Sequence, residues 1–305
     1  MIGSRSTSGV NLTLGSPAAG SIWPRLRVPA NPTQTPKPGR LALSLGPHPR
    51  RTTDGSNDYR QSIWPKPENV TKQSLEDEVQ SALKWLKSHS TKSTLEGMAR
   101  YAIPSDKAFG VAYKDMKVLG RLLGRDHELA AALWDTGVYE ARMVASFVAD
   151  PSQVTPAQMD RWCKDFDNWA ICDTMCFNLF DRTPHAWAKV TQWSSSKDEF
   201  VKRTAFALLW SLSVHDKRAG NEPFVQGLVF VERAADDERK FVKKAGNMAL
   251  RAIGKRNRAL NTAAVSVARR LAGSRNATAR WVGKDALREL TSPTVIRRLA
   301  RRLGV

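Results

Sequence analysis

The feature that most constrains this 305-residue chain is a succession of short amphipathic segments, with apolar residues at helical spacing and no sustained strand-like alternation. Apolar residues make up 41% of the sequence, which allows a substantial buried core. The pattern predicts helices over residues 74–89, 94–102, 114–124, 126–136, 138–149, 156–165, 168–180, 184–192, 197–214, 222–234, 237–256, 259–273, 276–290 and 293–303. Because short loops join these helices, we expect an all-α fold.

Several predicted helices begin with a capping signal. These signals are the capping-box pairs Ser74–Asp77 and Ser93–Glu96, and the hydroxyl residues Thr155, Thr183 and Ser292, each followed by proline. Successive helix pairs that recur at roughly 40 residues would match HEAT-like repeats. We therefore predict a superhelical array of HEAT-like helix pairs over residues 71–305.

Residues 1–70 have a different composition from the rest of the chain. Ten of the 16 prolines fall there, no acidic residue precedes Asp54, and helical periodicity is missing. These features predict a disordered basic tail. The tetrapeptide Ser-Ile-Trp-Pro occurs twice, at 21–24 and 62–65, as a docking motif or by chance.

Charge and cysteine usage narrow the class of partner and compartment. The chain has 48 Lys and Arg against 29 Asp and Glu, a formal net charge of +19. This balance favours a polyanion such as nucleic acid, although ribosomal and membrane-surface proteins can share it. No apolar run reaches the roughly 18 residues of a membrane span. We expect Cys163, Cys172 and Cys176 to be buried reduced thiols rather than zinc ligands with His185, in a cytoplasmic, nucleoid-associated protein.

One internal carboxylate, Asp173, interrupts the almost wholly apolar segment that follows Asp167 and runs to residue 177. Trp169 precedes it by four residues, so the indole and the carboxylate share one helical face. Because an unpaired buried charge is costly, either a cation reaches Asp173 from elsewhere in the fold or the acid works at an open cleft. Arg203, in another largely apolar segment, is the candidate counter-ion or phosphate clamp. A structural ion pair explains Asp173 and Arg203 equally well at this point.

A line of cations marks the segment 237–256. On a helical wheel they occupy a stripe of roughly 60°, with an apolar face opposite. Its members are Lys240, Lys244, Arg251, Lys255 and, if the helix continues, Arg258, with Asn247 and Met248 close by. Further cations recur at Arg280, Lys284 and Arg288. A charge run on a helix is usually a solvated surface, but this stripe is single-signed, so phosphate contacts that do not read sequence are at least as good an explanation.

Residues from about Thr94 to Leu290 resemble the DNA alkylation repair family, HEAT-like-repeat glycosylases that excise N3- and N7-alkylated purines. The resemblance is carried by residues 108–111, 167–173, 200–205 and 241–251. It implies that Trp169, Asp173 and Arg203 are catalytic. Met248 stands where the family has a second tryptophan in its basic helix. A thioether fills that space but supplies no aromatic cradle for a cationic lesion.

The resemblance also implies a reaction and a partner. Asp173 would stabilise an oxocarbenium-like sugar and help to position a water while the N-glycosidic bond is hydrolysed. Double-stranded DNA with alkylated bases would be bound by a monomer, without a metal or redox cofactor. We expect Tyr101 and Phe109 to approach the DNA, and Trp187, Trp193 and Trp210 to be packing residues. The alternatives are a catalytically weak or inactive DNA-structure-binding protein of the same fold and a helical scaffold for proteins.

Overall fold

The computed structural model describes residues 74–301, so the predicted tail and its two tetrapeptides lie outside the described residues. Apart from an isolated bridge between Ser90 and Val111, the described part contains no β-structure. Its α-helices are α1 (Leu75–Ser88), α2 (Lys92–Met98), α3 (Tyr113–Leu123), α4 (His127–Asp135), α5 (Tyr139–Val148), α6 (Pro156–Lys164), α7 (Trp169–Asn178), α8 (Ala186–Trp193), α9 (Glu199–His215), α10 (Glu222–Arg233), α11 (Lys240–Gly254), α12 (Arg258–Ala272), α13 (Ala277–Leu290) and α14 (Pro293–Arg301).

The helices are arranged in two layers. From α3 to α13, each odd-numbered helix packs against the next odd-numbered one. Helices α8, α10 and α12 form a second layer against them. Sequence neighbours such as α4 and α5, or α12 and α13, pack as pairs across the two layers. The predicted all-α superhelical array of HEAT-like helix pairs is confirmed, and the odd-numbered layer runs continuously along it.

Three of the five predicted helix starts are confirmed. Ser74 forms the capping box with Asp77, and the hydroxyls of Thr155 and Ser292 accept hydrogen bonds from backbone amides three residues on. The other two are wrong. Helix α2 begins earlier because Thr91, whose backbone is extended, is its cap, which leaves Ser93 inside the helix. The Thr183 hydroxyl donates to the Phe180 carbonyl oxygen, so it closes the preceding turn instead of capping α8.

The core of the described part is rich in aromatic side chains. Trp193 is buried, Trp187 packs edge-on against Phe224, and Trp210 does so against Phe177, which confirms that all three are packing residues. The three cysteines are buried and free, as predicted, and burial raises the pKa of the Cys163 and Cys176 thiols. Within residues 74–301, no helix combines the length and apolarity that a membrane crossing requires.

A buried acid on α5 holds the segment that precedes α3. The Glu140 carboxylate is fully buried and accepts hydrogen bonds from the backbone amides of Phe109, Gly110 and Val111 at 2.7–3.2 Å. Gly110 has a φ of +84°, and a Cβ there would lie 2.8 Å from the Thr91 carbonyl oxygen. The segment is therefore fixed by charge-assisted hydrogen bonds and by a conformation that favours glycine.

Candidate functional site

Asp173 and Arg203 form a buried ion pair between α7 and α9. Nη2 of Arg203 donates to Oδ1 and Oδ2 of Asp173 at 2.7 and 2.8 Å. Nη1 donates to the carbonyl oxygen of Phe241, in the first turn of α11, at 2.9 Å. Each of the paired residues is only 3% exposed. Of the two arrangements open to Asp173, the structure has the first, in which a neighbouring helix delivers the cation.

The protonation behaviour of this pair follows from burial and charge. Burial raises the pKa of the Asp173 carboxyl, and Arg203 opposes that rise through its charge and hydrogen bonds. Burial acts to lower the pKa of Arg203, but the Asp173 carboxylate, together with Cys172 and Cys176, acts to raise it, and the net shift is upward. Arg203 therefore stays charged, and Asp173 has a permanent positive neighbour.

Trp169 is the first residue of α7 and lies one helical turn from Asp173. The side chain of Asn168 caps this helix by accepting hydrogen bonds from the amides of Ala170 and Ile171. The partly buried indole donates through Nε1 to the carbonyl oxygen of Tyr101 at 2.7 Å. The structure thus brings Trp169 and Asp173 together on α7, as predicted, and fixes the indole against the backbone near the start of the array.

The predicted cationic stripe of α11 is not one open line. Arg251 pairs with both Asp285 and Glu289 of α13, and Lys255 pairs with Glu289 at 2.6 Å. Asn247 is only 2% exposed and donates to Asp285 at 3.1 Å. The expectation that these three residues offer free groups on an exposed single-signed stripe is therefore wrong. Acids from a different helix face them, and a helical wheel of α11 alone does not contain those acids.

Arg258 does not extend the stripe either. Helix α11 ends at Gly254, and Arg258 is the first residue of α12. Asn257 between them is extended, and its side chain caps the new helix by accepting from the Leu260 amide at 2.9 Å. The condition that the helix continues is not met, because an asparagine cap starts another one.

The open cations of α11 lie at its beginning. Lys240 and Lys244 are exposed, Met248 is partly buried one turn later, and neither lysine pairs with an acid within residues 74–301. The pKa of Lys244 is lowered by burial and then by Lys240, Arg203 and Lys243. Because Arg203 contributes to that shift, Lys244 lies within the electrostatic reach of the buried pair. The open cations and the pair thus belong to one region of the odd-numbered layer.

Sequence reasoning missed Trp281 on α13. This indole is 45% exposed, and Nζ of Lys243 lies 5.3 Å from the centroid of its ring. The available signal was the combination of an aromatic residue with Lys284 and Arg288 at helical spacing on the same face.

The predicted cations of α13 differ from one another in their contacts. Arg280 donates to the Ser274 carbonyl oxygen and Arg288 pairs with Asp285, whereas Lys284 is exposed.

The first-helix residues expected near the site have structural partners. The Phe109 amide donates to Glu140, so its backbone belongs to the loop that Glu140 holds. The Tyr101 carbonyl oxygen accepts a hydrogen bond from Nε1 of Trp169, and Tyr101 is 38% exposed. Of these two residues, Tyr101 is the one that contacts Trp169 of α7.

This two-layer array, with an acid–arginine pair buried in its odd-numbered layer beside open lysines, defines a helical-repeat protein of the HEAT-like class. The family model described as DNA alkylation repair enzyme matches residues 82–290. The chain belongs to the DNA alkylation repair family.

Two solved structures superpose on this chain, and one of them has the same fold. One is described as representing a new family of proteins related to the HEAT-like repeat DNA glycosylases with affinity for branched DNA structures. It superposes with a TM-score of 0.59 at 20% identity, over 68% of this chain and 93% of that chain. A designed armadillo repeat protein superposes with a TM-score of 0.28 at 13% identity, over 73% of this chain and 96% of that chain. No curated protein sequence matches this chain.

Proposed function

We propose that this protein is a DNA repair glycosylase that hydrolyses the N-glycosidic bond of N3- or N7-alkylated purines in duplex DNA. The observation that carries the proposal is the grouping of Trp169, Asp173 and Arg203 on α7 and α9 beside the open lysines of α11. Membership of the DNA alkylation repair family supports it. The acid that the reaction needs and the cations that bind phosphate are neighbours, as a glycosylase requires.

Breaking the N-glycosidic bond of an alkylated purine needs only modest electrostatic stabilisation from the protein. An alkylated purine already carries positive charge, so it is a good leaving group, and the positive charge then moves to the deoxyribose. In this proposal a carboxylate near the sugar stabilises that developing charge, and Asp173 is the acid in place to do so. Arg203 holds the carboxylate from the α9 side, so the sugar approaches from the side of Trp169. The indole face then lies against the cationic base or the sugar.

A second candidate is non-catalytic recognition of DNA structure. Met248 supports it, because a thioether on α11 offers no aromatic face to a cationic base. The low exposure of Asp173 supports it as well, since a carboxylate paired with an arginine is the arrangement of a structural ion pair. In this candidate the open lysines of α11 bind branched or distorted DNA and no bond is broken.

Release of free base distinguishes the two candidates. The purified protein is incubated with duplex DNA that contains N7-methylguanine, and the free base is separated and quantified against the same duplex without protein. The glycosylase proposal expects release above spontaneous depurination. Binding to a four-way junction and to a linear duplex is measured with the same preparation. No release above the protein-free control, together with preferential junction binding, contradicts the glycosylase proposal and supports the second candidate.

Met248→Trp is expected to raise the rate of release of cationic purines about ten-fold, because an indole on α11 supplies a cation–π contact to the base. The measurement compares initial rates of N7-methylguanine release by the variant and the wild type. Met248→Leu is the matched control, since it keeps an apolar side chain of similar size without an aromatic face. A rate equal to that of the leucine variant would contradict the cradle argument.

A further inference from the structure

Trp281 is an unusual side chain to leave in water. It is 45% exposed, and it is the largest of the exposed apolar residues in the described part of the chain. The others are Leu75, Tyr101, Val214, Val225 and Ile296. Scattered small apolar residues on a surface need no explanation, but a large exposed aromatic is typical of a binding site.

The surroundings of Trp281 are cationic. Nζ of Lys243 on α11 lies 5.3 Å from the ring centroid, and exposed Lys284 follows three residues later on the same face of α13. Neither lysine forms an ion pair with an acid within residues 74–301. An indole with one ammonium group near its ring and an exposed lysine one helical turn away suits a partner that combines flat aromatic rings with negative charge. Among macromolecules, nucleic acid has this combination in every nucleotide.

The position of Trp281 is fixed by the contacts between α11 and α13. Asn247 and Arg251 bind Asp285, and Lys255 binds Glu289, so the two helices are joined along successive turns. Trp281 lies one turn before Asp285, which sets it level with Lys243 and next to the open lysines of α11. The ion pairs between α11 and α13 thus neutralise Arg251 and Lys255 of the predicted stripe. They also hold Trp281 in place beside the open lysines of α11.

We propose that Trp281, with Lys243 and Lys284, is a stacking site for an unpaired nucleobase of the DNA that this protein binds. The inference rests on the proposed DNA binding and extends it to the structure of the ligand. In a continuous duplex both faces of each base are covered by its neighbours. A base at a bulge, flap or branch has a free face that an indole can cover, while the lysines contact the adjacent phosphates. Trp281 therefore selects DNA that contains an unstacked base.

The test compares two DNA ligands of equal length and charge as far as possible. One is a fully paired duplex, and the other carries a single unpaired adenine at its centre. Trp281→Ala is expected to weaken binding to the bulged DNA roughly ten-fold and to change binding to the paired duplex less than two-fold. Trp281→Phe keeps a stacking face and is expected to retain most of the affinity. Ile296→Ala, another exposed apolar residue on α14, is the matched control and is expected to change neither affinity.

Tryptophan fluorescence provides a second readout on the same proteins. Stacking on Trp281 is expected to quench emission when the bulged DNA is added to the wild type, and this component is absent from Trp281→Phe. Unchanged affinity of Trp281→Ala for the bulged DNA overturns the inference, and so does an equal loss for both ligands. A wild type that binds neither DNA contradicts the proposed function itself. Loss of binding in Trp281→Ala alone leaves the proposed function intact and supports the stacking site.

Discussion

Asp173→Asn is expected to abolish base release and to lower the free energy of unfolding by about 3–5 kcal/mol. Release is lost because the neutral amide no longer stabilises positive charge on the sugar. Stability falls because Arg203, which is 3% exposed, keeps its charge and loses the carboxylate that accepted both hydrogen bonds. N7-methylguanine release and denaturant unfolding of the same preparation measure the two effects.

Two further variants separate chemistry from stability. The double variant Asp173→Asn with Arg203→Met removes both charges, so most of the lost stability is expected to return while base release stays absent. Asp198→Asn is the control for a neutralised carboxylate, because Asp198 is exposed and its side chain makes no cap hydrogen bond. It is expected to match the wild type in both measurements. Continued base release by Asp173→Asn would contradict the catalytic role of the acid.

Reversing the charge of Lys240 and Lys244 together is expected to weaken DNA binding on the order of ten-fold at moderate salt, for all sequences alike. Both lysines are exposed at the beginning of α11, and neither pairs with an acid within residues 74–301. Each lost phosphate contact lowers the slope of log affinity against log salt concentration by about 0.9 for duplex DNA. The double variant Lys240→Glu with Lys244→Glu should therefore show a slope reduced by about two, measured by titration at several salt concentrations.

The controls for this prediction use cations in other settings. Lys87→Glu reverses one charge at an exposed position on α1, half the charge change of the double variant, and is expected to have little effect on binding. Arg251→Gln breaks pairs with Asp285 and Glu289, so it is expected to lower stability more than DNA affinity. If Arg251→Gln weakened binding as much as the lysine double variant, the interface would have to include the paired residues. Unchanged binding of the lysine variant would place the DNA surface on other helices.

The parts of this molecule that sequence predicted are those that local physics determines. The helices follow from apolar periodicity, and the presence of a partner for Asp173 follows from the cost of leaving a charge unpaired in an apolar helix. Glu140 is open to the same argument, since its helix is also largely apolar, and its partners are backbone amides. A charge in an apolar segment predicts that it has a partner without saying which group the partner is.

The errors in the predicted cationic stripe at Arg251 and Lys255 concern relations between helices. The sequence of α11 alone predicts Arg251 and Lys255 to be open cations, because their partners, Asp285 and Glu289, lie on α13. A helical wheel contains one helix, and the pairing depends on how α13 is aligned with α11. Trp281 had a signal within its own helix, the cations Lys284 and Arg288 on the same face, but its contact with Lys243 comes from the neighbouring helix and could not be predicted in the same way.

The candidate site residues of the odd-numbered layer lie on successive odd-numbered helices. Asp173 lies on α7, Arg203 on α9, Lys244 on α11 and Trp281 on α13. In an array of this kind each helix pair packs mainly against its neighbours, so an exposed side chain of one pair can be exchanged with little disturbance to distant pairs. The layer is thus modular: ligand preference can be redesigned by substitutions on single helices, and position 248 on α11 offers a partly exposed place to begin.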